Sequence, residues 1–242
     1  DVRLKTSDYS LSSLEEAANY YLDRAVELSG KASANVDFEK MAKQAGEGFQ
    51  NLTYEQHYAV FAGSVLPVKQ LGWSGLYGGA TGKTFVLTGE SAVNPNVPAA
   101  GMPFAMCKEM ARRMSIARPG DACFAAFLAC TANEDGNFVY SGYLMAFREC
   151  YYALASLDTS GGKAAFKRVD SRLNGKVEAD LRDYDEFLKD TQASDDAVFL
   201  LVNWHIQTVV VPSKQEEADK VIVFDPLDET DERLADLINP TE

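Results

Sequence analysis

The chain has 242 residues, which is enough to bury one continuous hydrophobic core. Apolar residues make up 46% of it and charged residues 24%, close to the averages of soluble globular proteins, which argues against wholesale disorder or a collagen-like repeat. The formal net charge is −13, from 36 acidic and 23 basic side chains, and such a surface repels phosphate backbones. Nucleic acid is therefore not an expected partner.

No stretch of the sequence has the roughly 20 consecutive apolar residues that a membrane-spanning helix requires. The first residues, DVRLK, lack the apolar region of a signal peptide, and the sequence starts without Met, so an anchor upstream of Asp1 is left open. The cysteines have no CxxC spacing, and we interpret them as small buried hydrophobic residues rather than as disulfides or a metal cluster. They are Cys107, Cys123, Cys130 and Cys150.

Apolar residues at helical spacing predict helices along most of the chain. A first helix at 14–28 is expected to have Ser12 or Ser13 as its N-cap, because a serine hydroxyl can accept a backbone N–H of the first turn. Shorter helices are predicted to follow at 37–46 and at 54–62.

The segment 72–96 is rich in Gly, Thr, Val and aromatic residues, and TFVLT at 84–88 has β-type composition. We predict an irregular hairpin or edge strand there. From 103 to 157 the pattern is strongly helical, and breaks at RPG (118–120) and EDGN (134–137) predict three consecutive core helices.

The C-terminal part is predicted to be more polar, apart from one apolar stretch that ends at Pro212. Its predicted elements are helices at 163–173 and 176–189, the apolar stretch at 197–211 and a possible strand, VIVF, at 221–224. The expected organisation is one domain at 1–212, followed by an acidic C-terminal appendage at 213–242.

Two weaker patterns carry little functional information. The sequence GATGKT at 79–84 resembles a phosphate-binding loop, but the required first glycine falls on Tyr77, so a glycine-rich turn before a strand is the simpler interpretation. His57 and His205 each stand alone in an apolar setting, and we interpret both as hydrogen-bonded packing residues rather than metal ligands. Without a histidine pair at i, i+4, spacing indicates no complete zinc site.

The most informative segment, at 103–124, reads PFAMCKEMARRMSIARPGDACF. It closely resembles the pattern PFxxCHELAHxxGxAxxxEANF of a family of bacterial membrane-anchored proteins, domain of unknown function 3810. Three further segments resemble that family in the same order: FVLTGESAVN at 85–94, FLAC at 127–130 and YSGYLMAF at 140–147. The resemblance is strong over 1–157, moderate to Lys189 and lost after Pro212.

This resemblance implies a mainly α fold with a small β element, of the zincin-like metallopeptidase type. In such a domain the two histidines of HExxH bind zinc from one helix face, and the intervening glutamate activates a metal-bound water. Here the histidine positions are Lys108 and Arg112. Glu109 keeps the base position, and Asp121 stands where the resemblance implies a third, acidic ligand. Because an ammonium and a guanidinium offer no lone pair, we expect neither a metal nor another cofactor.

Two arrangements of these charges are open. In the first, Lys108 and Arg112 replace the charge of the missing dication and form an ion-pair cluster with the two carboxylates. In the second, Glu109 pairs with Arg112 or Arg113 at i+3 or i+4 on an exposed helix, which contributes only a few tenths of a kcal/mol. Apolar neighbours within 104–114 indicate that one side of the helix is buried, and they favour the cluster.

The expected function is that of a non-catalytic pseudo-metallopeptidase, the extracytoplasmic domain of a membrane-anchored bacterial protein. Its expected ligand is an extended peptide or a protein, bound along 84–94 as active zincins bind substrate. The residues of this edge are Thr88, Gly89, Glu90 and Asn94. Membrane association is expected only through a segment upstream of the sequence.

Two alternative functions remain open. The first is a hydrolase that uses Glu109 and Asp121 as an acid–base pair without a metal, or that recruits another metal through these carboxylates and His205. The second is a purely structural surface module. Elemental analysis of the purified protein separates the metal-dependent alternative from the others.

Overall fold

The computed structural model describes residues 8–32, 37–54, 65–72, 80–85, 87–173, 175–189 and 192–215. His57, the predicted helix at 54–62 beyond its first residue, and the possible strand at 221–224 lie outside the described residues. So does the acidic appendage beyond Gln215. The described part is mainly helical with one small three-stranded sheet, which confirms the predicted mixture of elements.

The helices are α1 (Leu11–Ser29), α2 (Phe38–Tyr54), α3 (Met102–Arg113), α4 (Pro119–Thr131), α5 (Gly136–Ala155), α6 (Ser160–Asp170), α7 (Gly175–Leu188), α8 (Asp195–His205) and α9 (Val211–Gln215). The strands are β1 (Lys69–Gln70), β2 (Gly82–Phe85) and β3 (Glu90–Val93). The three core helices predicted between 103 and 157 are confirmed as α3, α4 and α5.

Helix α4 lies at the centre of the domain, where it packs against α2, α3, α5 and α8. Every residue from Ala122 to Cys130 is buried, so this part of the helix has no solvent-facing polar stripe. The sequence fits this position, because a helix that is apolar on all sides is stable only when it is enclosed. Its alanines and cysteines allow neighbouring helices to approach closely, while Phe124 and Phe127 fill the remaining space.

Helix α1 forms the other large helix contact, against α5. Its buried face consists of Leu14, Ala17, Ala18, Tyr21, Leu22, Ala25 and Leu28, which confirms the predicted helical spacing. The predicted cap is wrong by two or three residues. Ser10 is the N-cap, and its hydroxyl accepts the backbone N–H of Ser13 at 3.1 Å.

Helix α2 continues eight residues beyond its predicted end at 46. Gly46, where the predicted helix ends, and Gly48 lie within α2 and permit close packing. A Cβ on Gly48 would lie 1.9 Å from the backbone oxygen of Ala129 in α4, and one on Gly46 would lie 2.8 Å from the backbone oxygen of Val65. Phe49 is fully buried beyond both glycines, so the apolar face of α2 continues through them.

The sheet has the order β1-β3-β2, with β1 parallel and β2 antiparallel to β3. Strands β2 and β3 form the predicted hairpin, and its turn contains Gly89 at φ 64°, a left-handed conformation that favours glycine. Thr84 pairs with Ser91 in register, and both strands pack against α3. The short strand β1 was not predicted, because two residues carry no readable alternation.

The apolar stretch predicted to end at Pro212 continues as helix to Gln215. A five-residue π-helix, Ile206–Val210, joins α8 to α9 and changes the hydrogen-bond register of the chain. Pro212 is the second residue of α9, in the first turn, where the missing N–H of proline is tolerated.

Candidate functional site

Helix α3 carries three of the four positions at which the resemblance implies metal chemistry, and it packs against the β2–β3 hairpin and against helices α4 and α5. Arg112 and Arg113 occupy its last turn, where positive charge complements the helix dipole. Ser115 follows at φ 70°, in the left-handed region, at the position where the family pattern has glycine. The chain therefore makes a left-handed turn here although serine replaces glycine.

Glu109 is completely buried, and both oxygens of its carboxylate are bound. The Thr84 hydroxyl on β2 donates to Oε2 at 2.8 Å, and Nη1 of Arg112 donates to Oε1 at 2.8 Å. The Arg112 side chain is 29% exposed, so this ion pair lies at the boundary of the interior. Glu109 thus links β2 to the last turn of α3, and its carboxylate acts as a structural acceptor.

The hairpin is shaped to receive this carboxylate. A Cβ on Gly82 would lie 2.6 Å from Cγ of Glu109 and 2.7 Å from the backbone oxygen of Ala92, so only glycine leaves the required space. The Ser91 hydroxyl donates to the backbone oxygen of Glu109 at 2.8 Å. Gly82 therefore leaves room for one turn of α3, and the hydroxyl groups of Thr84 and Ser91 form hydrogen bonds with that turn.

Lys108 is half-buried, and within the described part of the chain it forms no hydrogen bond or ion pair. Burial raises the pKa of the Cys123 thiol on α4 and of the Glu149 carboxyl on α5, and the Lys108 ammonium acts on both groups in the opposite direction. Glu149 itself accepts the backbone N–H of Ser194 at 2.7 Å. The carboxylate on which the Lys108 ammonium acts electrostatically is therefore that of Glu149, on α5.

Asp121 lies in the first turn of α4, partly exposed, where a carboxylate stabilises the positive end of the helix dipole. It forms no hydrogen bond or ion pair with any residue that the structure describes. The expected ion pair between α3 and the segment after Pro119 is thus not formed in this part of the chain. Glu109 instead pairs at i+3 with Arg112, as in the second arrangement, but in a buried setting, as in the first. A ligand-equivalent role for Asp121 stays a prediction.

The four residues predicted to form a peptide edge occupy different environments. Thr88 and Gly89 are exposed in the hairpin turn. Glu90 lies in the middle strand, β3, and forms an ion pair with Lys69. Asn94 is buried, where its side-chain amide donates to the backbone oxygen of Ala80 at 3.1 Å and closes the base of the hairpin. Because β3 is paired on both sides, a peptide that adds as a strand has to pair with one of the outer strands, and β2, with four residues, is longer than β1, with two.

The outer edge of β2 is available for such pairing as far as the described ranges extend, since no strand in them pairs with it. The backbone N–H of Asn94 donates to the oxygen of Thr81 at 2.9 Å, so antiparallel alternation directs the backbone groups of Gly82 and Thr84 away from β3. Phe85 and Leu87 at the hairpin tip are exposed by 37% and 101%. This edge therefore offers backbone groups and apolar surface together.

His205 is buried at the end of α8, against the rings of Tyr20 and Tyr21. The predicted interior packing of His205 is confirmed, but the predicted hydrogen bond is wrong, since neither ring nitrogen has a partner in the described part of the chain. Among the residues that the structure describes, no group of three or more His, Cys, Asp or Glu side chains is arranged to hold a metal ion.

Acidification is expected to weaken the fold through His205. Burial lowers its pKa from 6.5 to about 4, so its contribution to stability is complete above pH 6.5 and is lost as the pH falls through about 4. The loss amounts to roughly 3 kcal/mol. Urea unfolding at pH 7 and at pH 4 measures this loss as a difference in the free energy of unfolding. The variant His205→Leu should show a correspondingly smaller difference. Equal differences in both proteins would contradict this assignment, because the other titrating groups are the same.

The residues that sequence reasoning missed are Gly82, Thr84, Ser91 and Glu149. The first three carried a weak signal, since small residues at 82, 84 and 91 occupy one face of a predicted hairpin. Glu149 carried none, because its proximity to Lys108 depends on how α5 packs against α3. Lys83 and Thr84 lie within β2, so the segment at 79–84 does not end in the helix that a phosphate-binding loop requires.

Comparison with known protein families agrees with the resemblance found in the α3–α4 segment. Residues 1–204 match the family described as protein of unknown function (DUF3810), and the chain belongs to this family. No curated protein and no solved structure matches the chain. Over the ranges that the structure describes, no helix combines the length and the apolar character needed to cross a membrane.

Proposed function

We propose that this protein is a zincin-like domain that lacks metal-dependent catalysis and binds an extended peptide beside β2. The observation that carries the proposal is the state of Glu109, whose two oxygens bind Thr84 and Arg112 in the protein interior. A general base must reach the proton that it removes, and this carboxylate is already engaged on both sides. At the positions where a zincin has histidines, Lys108 and Arg112 provide no lone pair for a metal.

The open edge of β2 supports the peptide-binding part of the proposal. An extended peptide can hydrogen-bond to the outward backbone groups of Gly82 and Thr84, while the exposed Phe85 contacts its side chains. The proposal includes an extracytoplasmic location on a membrane-anchored bacterial protein, which rests on the family resemblance. Fractionation of the native protein tests that location directly.

Peptide binding without cleavage is the central test. The purified protein is dialysed against a pool of random heptapeptides, and mass spectrometry measures which peptides are retained and whether any is cut. We expect retention of intact peptides. Phe85→Ser should weaken retention about tenfold, the effect of losing one well-packed apolar contact. Leu66→Ser is the matched control, because Leu66 is exposed at the opposite, β1 side of the same sheet. Peptide cleavage, or equal effects of both variants, would refute the proposal.

Zinc affinity tests the metallopeptidase origin of the site. The variant Lys108→His, Arg112→His and Asp121→Glu places two imidazoles at i, i+4 on the helix that bears Glu109 and lengthens the third carboxylate. We expect the parent to carry no stoichiometric zinc and the triple variant to bind Zn²⁺ weakly, without recovered peptidase activity. Binding should be weak because the groups that orient histidines change metal affinity by roughly 10- to 100-fold. Peptidase activity should stay absent because Glu109 is hydrogen-bonded to Thr84.

The control for this titration is Glu39→His with Lys43→His, an exposed i, i+4 pair on α2 that has no designed third ligand. Calorimetric titration compares the two variants. Binding by the triple variant that is no tighter than binding by this control argues that Lys108, Arg112 and Asp121 do not share a metal site.

A further inference from the structure

Lys108 and Arg112 carry hydrogen-bond donors that no acceptor in the described part of the chain uses. Residues four apart lie on the same face of a helix, one turn from each other. Lys108 has no acceptor in those ranges, and Arg112, with five N–H donors, uses only Nη1, for Glu109. Neither the Lys108 ammonium nitrogen nor the unused guanidinium nitrogens of Arg112 are enclosed without a hydrogen-bond partner. The pair is therefore available to an anion.

Partial burial distinguishes Lys108 from the surface lysines. Lys40 and Lys43 on α2 are exposed, so water solvates their ammonium groups. Lys108 has given up part of that hydration without forming a side-chain hydrogen bond or ion pair in the described ranges, although it acts on Glu149 at longer range, and a partly desolvated charge interacts more strongly with an anion than an exposed one does. Although the chain has a net charge of −13, the half-buried cations on α3 thus provide positive charge to which an anionic ligand can bind.

The same face is connected to β2. Thr84 on β2 binds one oxygen of Glu109 and Arg112 binds the other, so a single carboxylate separates the strand from the Arg112 guanidinium. A peptide paired with the outer edge of β2 therefore adds to the strand that Glu109 joins to Arg112.

We propose that Lys108 and Arg112 bind the C-terminal carboxylate of the peptide that pairs with β2. The inference rests on the proposed function and specifies its ligand. A guanidinium presents parallel N–H donors that match a carboxylate, and the Lys108 ammonium lies one turn away on the same face. A monoanion fits better than a dianion such as phosphate, because Glu109 and Glu149 place negative charge nearby.

The test uses heptapeptide pools made only of Gly, Ala, Ser, Val, Leu and Phe. One pool has free C-termini, a second has C-terminal amides, and a third is amidated but contains one internal Glu. Dissociation constants are measured for the wild-type protein, for Lys108→Met and for Lys43→Met, an exposed control on α2. Circular dichroism establishes that each variant is folded. Lys108→Arg, which keeps the positive charge, serves as the conservative variant.

We expect free C-termini to bind about 10- to 100-fold more tightly than amides, the range of one charge-assisted interaction. Lys108→Met should reduce that ratio at least threefold, whereas Lys108→Arg and Lys43→Met should preserve it. Equal binding of free and amidated pools overturns the inference and leaves the proposed function standing. Preference for the internal-Glu pool also overturns it, because the site then recognises an acidic side chain. If no pool binds, both the proposed function and the inference fail.

Discussion

Replacing Arg112 by Met is expected to destabilise the protein by about 2–3 kcal/mol. Removing one partner of a buried ion pair costs roughly 3–5 kcal/mol, because the remaining charge stays in the interior without compensation. Glu109 is fully buried and would keep only the Thr84 hydroxyl. The Arg112 side chain is 29% exposed, and solvent screening on that side places the expected value below this range. Urea unfolding at pH 7 gives the free energy of unfolding.

The matched control is Arg182→Met on α7. Arg182 is 64% exposed and lies 3.9 Å from Asp183, so its removal should change stability by less than about 0.5 kcal/mol. Combining Arg112→Met with Glu109→Gln should recover most of the loss, since the amide carries no charge and can still accept from Thr84. If Arg112→Met costs no more than the control, Glu109 is not a buried charge that depends on Arg112.

The core of the fold could be predicted from the sequence because it depends on local periodicity. Helices α3, α4 and α5 each contain enough apolar residues to define a buried face, and turn residues separate them. Predictions failed where tertiary packing decides the outcome. The predicted helix ends at Gly46, yet α2 continues through Gly46 and Gly48 to Tyr54, and other backbone segments approach both glycines. A glycine in a sequence does not reveal whether it ends a helix or makes room for a neighbour.

The candidate site shows the same limit. That Lys108 and Arg112 offer no lone pair to zinc follows from the chemistry of their side chains alone. The pairing of Glu109 with Arg112 was one of two predicted arrangements, because i+3 neighbours share a helix face. Its burial against Thr84 was not predictable, since these residues are 25 positions apart and meet only when the hairpin packs on α3. The sequence thus predicts the pairing within α3 and not the residues of β2 that this helix meets.

The buried link between Glu109 and Thr84 also bears on how such a domain could exchange catalysis for binding. A carboxylate that activates water must remain accessible, whereas one that joins a strand to a helix is most useful when it is enclosed. In this protein the enclosed carboxylate joins β2 to α3, and β2 is the strand whose outer edge we propose to bind a peptide. Under that proposal, the position equivalent to a catalytic base is occupied by a residue that orders the binding edge.

The second large effect is expected from Gly48→Ala, which should destabilise the protein by about 3 kcal/mol or more. The added Cβ would lie 1.9 Å from the backbone oxygen of Ala129, and a backbone atom of the enclosed helix α4 cannot rotate away. Helices α2 and α4 would have to separate, and overpacking of this kind typically costs 1–3 kcal/mol. For a chain of this size, each kcal/mol corresponds to roughly 2–4 °C, so Tm should fall by about 6–12 °C.

Gly175→Ala is the matched control for this loss, because a Cβ at Gly175, the first residue of α7, would meet nothing within 4 Å. Alanine favours the helix over glycine, so this variant should be unchanged or stabilised by up to about 1 kcal/mol. Calorimetry of both variants separates the cost of the contact from the general effect of exchanging glycine for alanine. A Tm for Gly48→Ala within 2 °C of the wild-type value would mean that α2 does not approach α4 at Ala129, and the position of α2 in the fold would then be wrong.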